Sequence, residues 1–156
     1  MTWRVPRPVF DEQKGEGNKR AFRKIVKSGA EPGILLYDGN DPVGWCALAP
    51  REQYPRLEAS RILKPVDEQP VWSVSCLFVA KTHRRKGLSA LLLKEAVAFA
   101  GKRGAKIVEG YPTETDGSLP DPFVWTGTAA AFRKAGFKEV LRRSKTRPIM
   151  RAKPRA

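Results

Sequence analysis

The chain has 156 residues, a hydrophobic fraction of 41% and a formal net charge of +14. This length fits a single domain, and the apolar content excludes an intrinsically disordered chain. No apolar run reaches the roughly 18–20 residues of a membrane helix, and the amino terminus lacks the apolar centre of a signal peptide, so the sequence predicts a cytoplasmic protein without a membrane partner.

The cysteine and histidine content argues against a metal site. Cys46 and Cys76 both lie in apolar, strand-like segments, which favours two buried free thiols over a disulfide or a metal centre. The chain has one histidine and no Cys-x-x-Cys spacing, so a structural zinc ion has no support. The sequence predicts no metal ligands.

Half of the excess positive charge lies at the carboxy terminus. Residues 142–156 contain seven basic residues and no acidic ones. Such a tail can bind the phosphates of a nucleic acid by releasing counterions. A basic terminus that is only solvated is the favoured alternative.

The amino-terminal third combines a polar lead-in with a helix and a hairpin. Residues 1–16 are predicted to form a loosely attached lead-in with little regular structure. Apolar residues spaced on one face predict a helix over 18–27. Residues 33–50 contain two β-rich runs joined by Asp38-Gly39-Asn40-Asp41, which predicts a hairpin.

The middle of the chain predicts a buried strand followed by a long helix. A short helix is expected near 56–62, before Pro65. The continuous apolar run 71–80 is typical of a central strand buried on both faces. Apolar residues at intervals of three and four predict a helix over 88–100, and 106–111 is a short strand.

The last third predicts an exposed loop, a helix and two strands. The loop 113–123 is rich in Asp, Gly and Pro and is expected to be exposed and mobile. A helix is predicted over 128–135, a strand over 137–144 and an edge strand over 146–152. This order predicts a mixed sheet with helices on its faces, an α/β or α+β fold.

A basic, glycine-containing loop separates the central strand from the long helix. Backbone amides at a helix start, together with Arg84, Arg85 and Lys86, form an anion site, and Gly87 and Ser89 permit close approach. The spacing matches neither a Walker loop nor a dinucleotide fingerprint. From this pattern alone, an anion site and a solvated helix start are equally supported.

Two motifs carry a resemblance to a known family. The segment LFVAKTHRRKGLSALLLKEA is similar to the acetyl-CoA-binding motif of the GNAT superfamily. That motif has the pattern Arg/Gln-x-x-Gly-x-Gly/Ala. Here it runs from Arg84 to Ser89, with Ser89 at the final position. The segment AAFRKAGFKEVLRRS resembles the family's closing helix and Gly-Phe turn, and the similarity spans about 18–150. VGWCALAPREQYPRL and EGYP resemble a poorly characterised bacterial branch.

The resemblance implies a fold and a cofactor. It implies a mixed, mostly antiparallel central sheet, splayed at the cofactor site and flanked by helices. One domain would span 17–151, between the lead-in 1–16 and a basic tail 152–156. The cofactor would be acetyl-CoA, with its pantetheine arm on the backbone of the strand and its pyrophosphate on the loop. The residues concerned are Leu77, Phe78, Val79, Arg84, Arg85, Lys86, Gly87, Leu88 and Ser89.

The usual catalytic groups of the family have no match. The strand start, Val71 to Ser75, contains no carboxylate, and Phe132 stands where many members have an acidic tyrosine. The nearest candidates are Tyr111 as acid and Glu109 as base. A rim position for Tyr111 and a solvated strand end for Glu109 are the alternatives, and direct attack with water as proton carrier is a third possibility.

The implied activity is transfer of an acetyl group from acetyl-CoA to a primary amine. The acceptor is unidentified, and the chain could be a monomer or a homodimer. The loops APREQYPRL and TETDGSLPDPF, together with Trp45 and Trp125, are candidates for acceptor contact, although core packing is favoured for each tryptophan. The alternative function is a non-catalytic CoA-binding or nucleic-acid-associated protein on the same scaffold.

Overall fold

The computed structural model describes residues 1–114, 116–117 and 125–155. Its strands are β1 (Gly33–Asp38), β2 (Asp41–Pro50), β3 (Trp72–Val79), β4 (Val108–Gly110), β5 (Lys138–Arg142) and β6 (Pro148–Ala152). Its helices are α1 (Arg7–Glu12), α2 (Glu16–Lys27), α3 (Pro55–Glu58), α4 (Leu88–Lys102) and α5 (Ala129–Lys134). The predicted loop 113–123 lies mostly outside the described residues.

The strands form one six-stranded sheet in the order β1-β2-β3-β4-β6-β5. Only β3 and β4 run parallel, and every other neighbouring pair is antiparallel. The predicted mixed, mostly antiparallel sheet with flanking helices is therefore confirmed. The predicted hairpin is also present, because Asp38 pairs with Asp41 across Gly39 at φ +60°.

The long helix α4 covers one face of the sheet. Its buried side includes Leu92, Leu93, Ala96 and Ala100, which pack against apolar residues of β2 and β3. The small alanine side chains let the helix backbone approach the sheet closely, and burying this stripe is the main driving force for the packing.

The lead-in is more ordered than predicted. Residues 7–12 form α1, α2 begins at Glu16, and the Trp3 indole donates to the Ser75 carbonyl at 3.2 Å. Trp3 also lies 5.8 Å from the Trp125 ring. The expectation of little regular structure was wrong, because a long-range anchor residue such as Trp3 leaves no periodic signal in the sequence. The domain boundaries at 16 and 151 stay a prediction.

Two further predictions need correction, namely the place of the last strand in the sheet and the length of the short helix. The last strand was expected at the edge, but β6 lies between β4 and β5, and β5 is the edge strand. Ile149 and Met150 are fully buried, which accounts for the interior position of β6. The short helix predicted near 56–62 is α3, which ends at Glu58.

The sheet divides after the first three residues of β3. β3 has eight residues and β4 has three, so their parallel pairing covers only 72–74 against 108–110. Ser75 is an extra residue in β3, because Val74 pairs with Leu48 and Cys76 pairs with Ala47. This bulge bends the strand where β4 leaves it. The second half of β3 therefore has an open edge toward β4.

Much of the basic carboxy-terminal stretch is bound within the protein. Four of its seven basic residues donate to other parts of the chain, namely Arg142, Arg143, Arg147 and Arg151. For these four, the prediction of a solvated tail was wrong, because long arginine side chains reach carbonyls and carboxylates distant in sequence. They are less available to an external polyanion than the sequence suggested.

The two cysteines are both free, but only one of them is buried as predicted. Cys46 and Cys76 are free thiols, the first fully buried and the second partly exposed. Within the described ranges, no three His, Cys, Asp or Glu residues are grouped so as to hold a metal ion. In the same ranges, no helix has the length and apolarity needed to cross a membrane.

Replacing Gly110 with alanine is expected to destabilise the fold. A Cβ at this position would lie 2.1 Å from Cε1 of Phe132, which is fully buried. Overpacking of this kind costs about 1–3 kcal/mol, so thermal unfolding should show a melting temperature lower by roughly 5–10 °C. Gly117→Ala is the control, since no atom lies within 4 Å of its added Cβ. An unchanged melting temperature for Gly110→Ala would contradict the packing described.

Candidate functional site

The loop before α4 has an unusual backbone. Arg85 and Gly87 both adopt left-handed conformations, with φ of +62° and +77°. For arginine this conformation is uncommon and strained. In the described chain, the amides of 85–89 donate to no backbone carbonyl. Alternating left-handed residues before a helix start direct such amides toward one point, which suits an anion.

A cavity of about 250 Å³ lies at this point. Six of the predicted cofactor residues line it: Val79, Arg84, Arg85, Gly87, Leu88 and Ser89. Lys86 is exposed and lies outside the described lining. The arrangement places amides and cations around a space open to a phosphorylated ligand.

Lys134 was missed by the sequence analysis. It lines the same cavity, and its Nζ lies 3.9 Å from the position that a Cβ on Gly87 would occupy. Ala130 and Ala131 line the cavity too. The helical spacing that places Lys134 on the same face of α5 as these alanines was therefore the sequence signal that could have identified it. That signal becomes readable only once α5 is known to pack beside α4.

Arg84 and His83 bind neighbouring parts of the protein. Nε of Arg84 donates to the Val79 carbonyl at 2.9 Å, which ties the loop to the end of β3. His83 is paired through Nε2 with the Asp38 carboxylate at 2.9 Å, at the β1–β2 turn. Both contacts hold the loop against the sheet.

The open edge of β3 is partly covered by the segment before α5. The Leu77 amide donates to the Trp125 carbonyl at 2.8 Å, and the Thr113 amide donates to the Gly127 carbonyl at 2.9 Å. The hydroxyls of Thr113 and Thr126 are buried, without a partner among the described residues. Unpartnered buried hydroxyls are uncommon, and these two lie in the segments that border the division of the sheet. The Phe78 side chain is exposed.

Glu109 and Tyr111 lie inside a buried ionic network. Glu109 is 0% exposed, and its two oxygens accept from Arg51 at 3.0 Å and from Arg151 at 2.7 Å. The Tyr111 hydroxyl, in a side chain 1% exposed, donates to Glu109 at 2.7 Å and accepts from Arg51 at 2.6 Å. With its proton directed at Glu109, this hydroxyl also accepts from Ser73 at 2.8 Å.

The environment of Tyr111 opposes easy loss of its proton. Burial raises the pKa of Tyr111 well above its usual value, and the negative charge of Glu109 raises it further. A phenol with so high a pKa is a weak acid near neutral pH. The rim position considered for Tyr111 and the solvated strand end considered for Glu109 are both wrong, because both side chains are buried. Their catalytic roles stay a prediction.

Comparison with known proteins gives the family. The model of the acetyltransferase (GNAT) family matches residues 1–116, about three quarters of the chain. The chain belongs to the GNAT acetyltransferase family. The predicted resemblance is confirmed, and the match includes the loop before α4 in this GNAT chain.

Solved GNAT structures share the fold at low sequence identity. An N-acetyltransferase from Staphylococcus aureus Mu50 is 11% identical, with TM-score 0.57 and coverage of 90% of this chain and 77% of that one. A ribosomal-protein-alanine N-acetyltransferase from Brucella melitensis is 15% identical, with TM-score 0.56 and coverage of 88% of this chain and 77% of that one. The yncA protein from Salmonella typhimurium, solved with its cofactor acetyl-CoA, is 11% identical, with TM-score 0.56 and coverage of 90% of this chain and 75% of that one. The comparison with curated proteins gave no significant match.

Replacing Lys134 with alanine is expected to weaken acetyl-CoA binding about five- to tenfold. Its ammonium group lines the cavity at the start of α4, and one charge-assisted contact contributes about 1–1.5 kcal/mol. Calorimetric titration should show the loss, and it should shrink as salt is raised. Lys27→Ala, at the end of α2 and outside this cavity, is the control. Equal affinities for the two variants would exclude Lys134 from the site.

Proposed function

We propose that this GNAT protein is an N-acetyltransferase that binds acetyl-CoA and transfers its acetyl group to a primary amine. The observation that carries the proposal is the group of amides at residues 85–89, which donate to no backbone carbonyl in the described chain and are bordered by cations beside the open edge of β3. A diphosphate needs such donors, and a thioester arm needs an open strand edge beside them.

The described residues fit the cofactor chemically. The amides from Arg85 to Ser89 would bind the pyrophosphate, with Arg85 and Lys134 adding charge. The backbone of Leu77 to Val79 would bind the arm after the Trp125 carbonyl is displaced from the Leu77 amide. The unpartnered hydroxyls of Thr113 and Thr126 border the same edge and suit a ligand that carries amide groups. When bound, acetyl-CoA supplies an activated acyl group.

The protein's own contribution would be a hydrogen-bond donor at the reacting carbonyl and an apolar surrounding for the amine. An amide donor such as that of Leu77, freed from Trp125, is suited to stabilising negative charge that develops on a carbonyl oxygen. The acceptor amine must be neutral to attack, and an apolar surrounding favours the neutral form. Tyr111 and Glu109 stay candidates for acid and base, although their burial and arginine partners favour a role in holding the strand ends. Direct attack with water as proton carrier needs neither.

A second function has a specific observation in its favour. Both predicted acid–base groups are enclosed in the ionic network, so a CoA-binding protein without turnover also fits the site. The nucleic-acid alternative is weakened, since four arginines of the basic stretch bind within the chain.

An acceptor screen that follows release of free CoA tests the proposal. We expect calorimetry to show acetyl-CoA binding and the screen to show acetyl transfer to at least one class of amine. Binding without transfer to any amine would support the non-catalytic alternative. Absence of binding would reject both functions.

A further inference from the structure

A second cavity, of about 310 Å³, lies on the sheet face opposite α4. Cys76 faces it from β3, whereas the neighbouring Leu77 packs on the α4 side. Its walls contain six aromatic side chains, each from a different segment of the chain: Trp3, Phe10, Phe22, Trp45, Tyr54 and Trp125. We call it the aromatic cavity. Its volume is at the lower end of the range for small-molecule sites.

The aromatic cavity adjoins the open edge of β3. Ser75 and Cys76 form part of its lining, and the next residue, Leu77, has the amide that faces the division of the sheet. Trp125 belongs to both features, because its carbonyl accepts from Leu77 and its ring lies against Trp3. A ligand in the aromatic cavity therefore lies beside the point where the thioester arm would end.

The charge of the aromatic cavity is positive. Among its described lining residues there is no carboxylate, and the cationic groups are the guanidinium of Arg4 and the amino group of Met1. Arg4 donates to Gln53 Oε1 at 2.9 Å and to the Tyr54 hydroxyl at 3.3 Å, and its guanidinium lies 4.7 Å from the Tyr54 ring centre. These partners are neutral, so among the described residues Arg4 has no carboxylate partner to compensate its positive charge.

This lining selects against polyamines and for a carboxylate. A polycation would find no counter-charge and would be repelled by Arg4, whereas a carboxylate could bind the guanidinium in two-point contact. The aromatic walls suit a flat or bulky apolar group. Burial beside Arg4 also favours the neutral form of an amine, which lessens the need for a dedicated base.

We propose that the acceptor is a free amino acid with an aromatic or large apolar side chain, held in the aromatic cavity with its carboxylate at Arg4. The inference rests on the proposed N-acetyltransferase function. The α-amino nitrogen attacks the thioester carbonyl carbon, a C–N bond forms and the C–S bond breaks. The thiolate takes the proton that the amine loses, giving the N-acetyl amino acid and free CoA.

The binding test uses the thiol of Cys76 and needs no turnover. Cys46 is fully buried, so a maleimide should label only Cys76 in the folded protein. Burial raises the pKa of the Cys76 thiol, so the reaction is run at neutral pH over a long period, where a maleimide still discriminates the thiol from the amines of the protein and of the competitors. We expect L-phenylalanine to slow labelling at least fivefold, phenethylamine to slow it less, and spermidine to leave it unchanged. Cys76→Ala should show no labelling.

The turnover test compares the same three amines. We expect kcat/KM for L-phenylalanine to exceed that for phenethylamine at least tenfold and that for spermidine at least 100-fold. Arg4→Gln should remove the difference between phenylalanine and phenethylamine. Arg7→Gln, on the exposed side of α1, should preserve it. Because labelling is measured without acetyl-CoA, amino-acid binding and acetyl transfer are judged separately.

Two results would overturn the inference. One is labelling of Cys76 that L-phenylalanine does not slow. The other is faster acetylation of spermidine than of phenylalanine, which would leave the acetyltransferase function intact but reject this acceptor class. Protection of Cys76 without acetyl-CoA binding would support the amino-acid site while rejecting the proposed function.

Discussion

Replacing Glu109 with glutamine is expected to lower the free energy of unfolding by about 3–5 kcal/mol, because Arg51 and Arg151 each lose a charge-assisted bond to their shared buried carboxylate and keep only the more exposed carboxylate partners Glu58 and Asp67. Glu109 binds Arg51 and Arg151, whose side chains are only 7% and 12% exposed. Chemical denaturation should show the loss directly, and the melting temperature should fall by roughly 10–15 °C.

Glu58→Gln is the matched control for this change. Glu58 also binds Arg51, at 2.6 Å, but its side chain is 48% exposed. Ion pairs open to solvent contribute about 1 kcal/mol or less, so this variant should unfold close to the parent. If both variants lost a similar free energy of unfolding, the burial of Glu109 would not be the cause of its contribution to stability.

The same Glu109→Gln variant tests the catalytic prediction. If Glu109 holds the strand ends, kcat corrected for the folded fraction should stay within about threefold of the parent. A general base contributes about 100-fold or more, so a corrected loss of that size would establish Glu109 as the base. Tyr111→Phe, which keeps the ring and removes the hydroxyl, tests the predicted acid in the same way.

Replacing Ser89 with aspartate is expected to weaken acetyl-CoA binding on the order of 100-fold while leaving the fold intact. Two like charges about 5 Å apart repel by about 3 kcal/mol at an effective dielectric constant near 20. The same charge at the second residue of α4 interacts favourably with the helix dipole, by about 0.3–1 kcal/mol. Affinity should fall as the melting temperature rises by about 1–3 °C.

Ser89→Ala separates the charge from the loss of the hydroxyl. We expect this variant to bind acetyl-CoA within about threefold of the parent, because the amides of the loop are unchanged. Calorimetry on both variants gives the affinities, and thermal unfolding gives the stabilities. Undiminished binding by Ser89→Asp would contradict a phosphate site at the start of α4.

The sequence was informative where a feature is local. The loop before α4 and the helix itself could be predicted because the basic run, Gly87 and the apolar helix pattern are contiguous, and the hairpin because its turn residues are. The GNAT resemblance added a mostly antiparallel sheet that is splayed at the cofactor site. Each of these depends on residues close together in the chain.

Features built from distant residues could not be predicted. Arg51 and Arg151 both bind Glu109, but nothing in a loop arginine or a tail arginine indicates a shared buried partner. The aromatic cavity likewise combines Trp3 with Trp125, at opposite ends of the chain. Lys134 reaches the cavity at the start of α4 only through the packing of α5. Long polar side chains satisfy their charges wherever the fold brings a partner, so their pairing is a tertiary property.

The extra residue at Ser75 changes how β3 should be compared with other proteins. Before it, Val74 faces α4; after it, Leu77 and Val79 do, so even positions give way to odd ones. An alignment with a relative that lacks this insertion needs a gap at 75. Without the gap, every later position in the strand would be matched to a residue from the wrong side of the sheet.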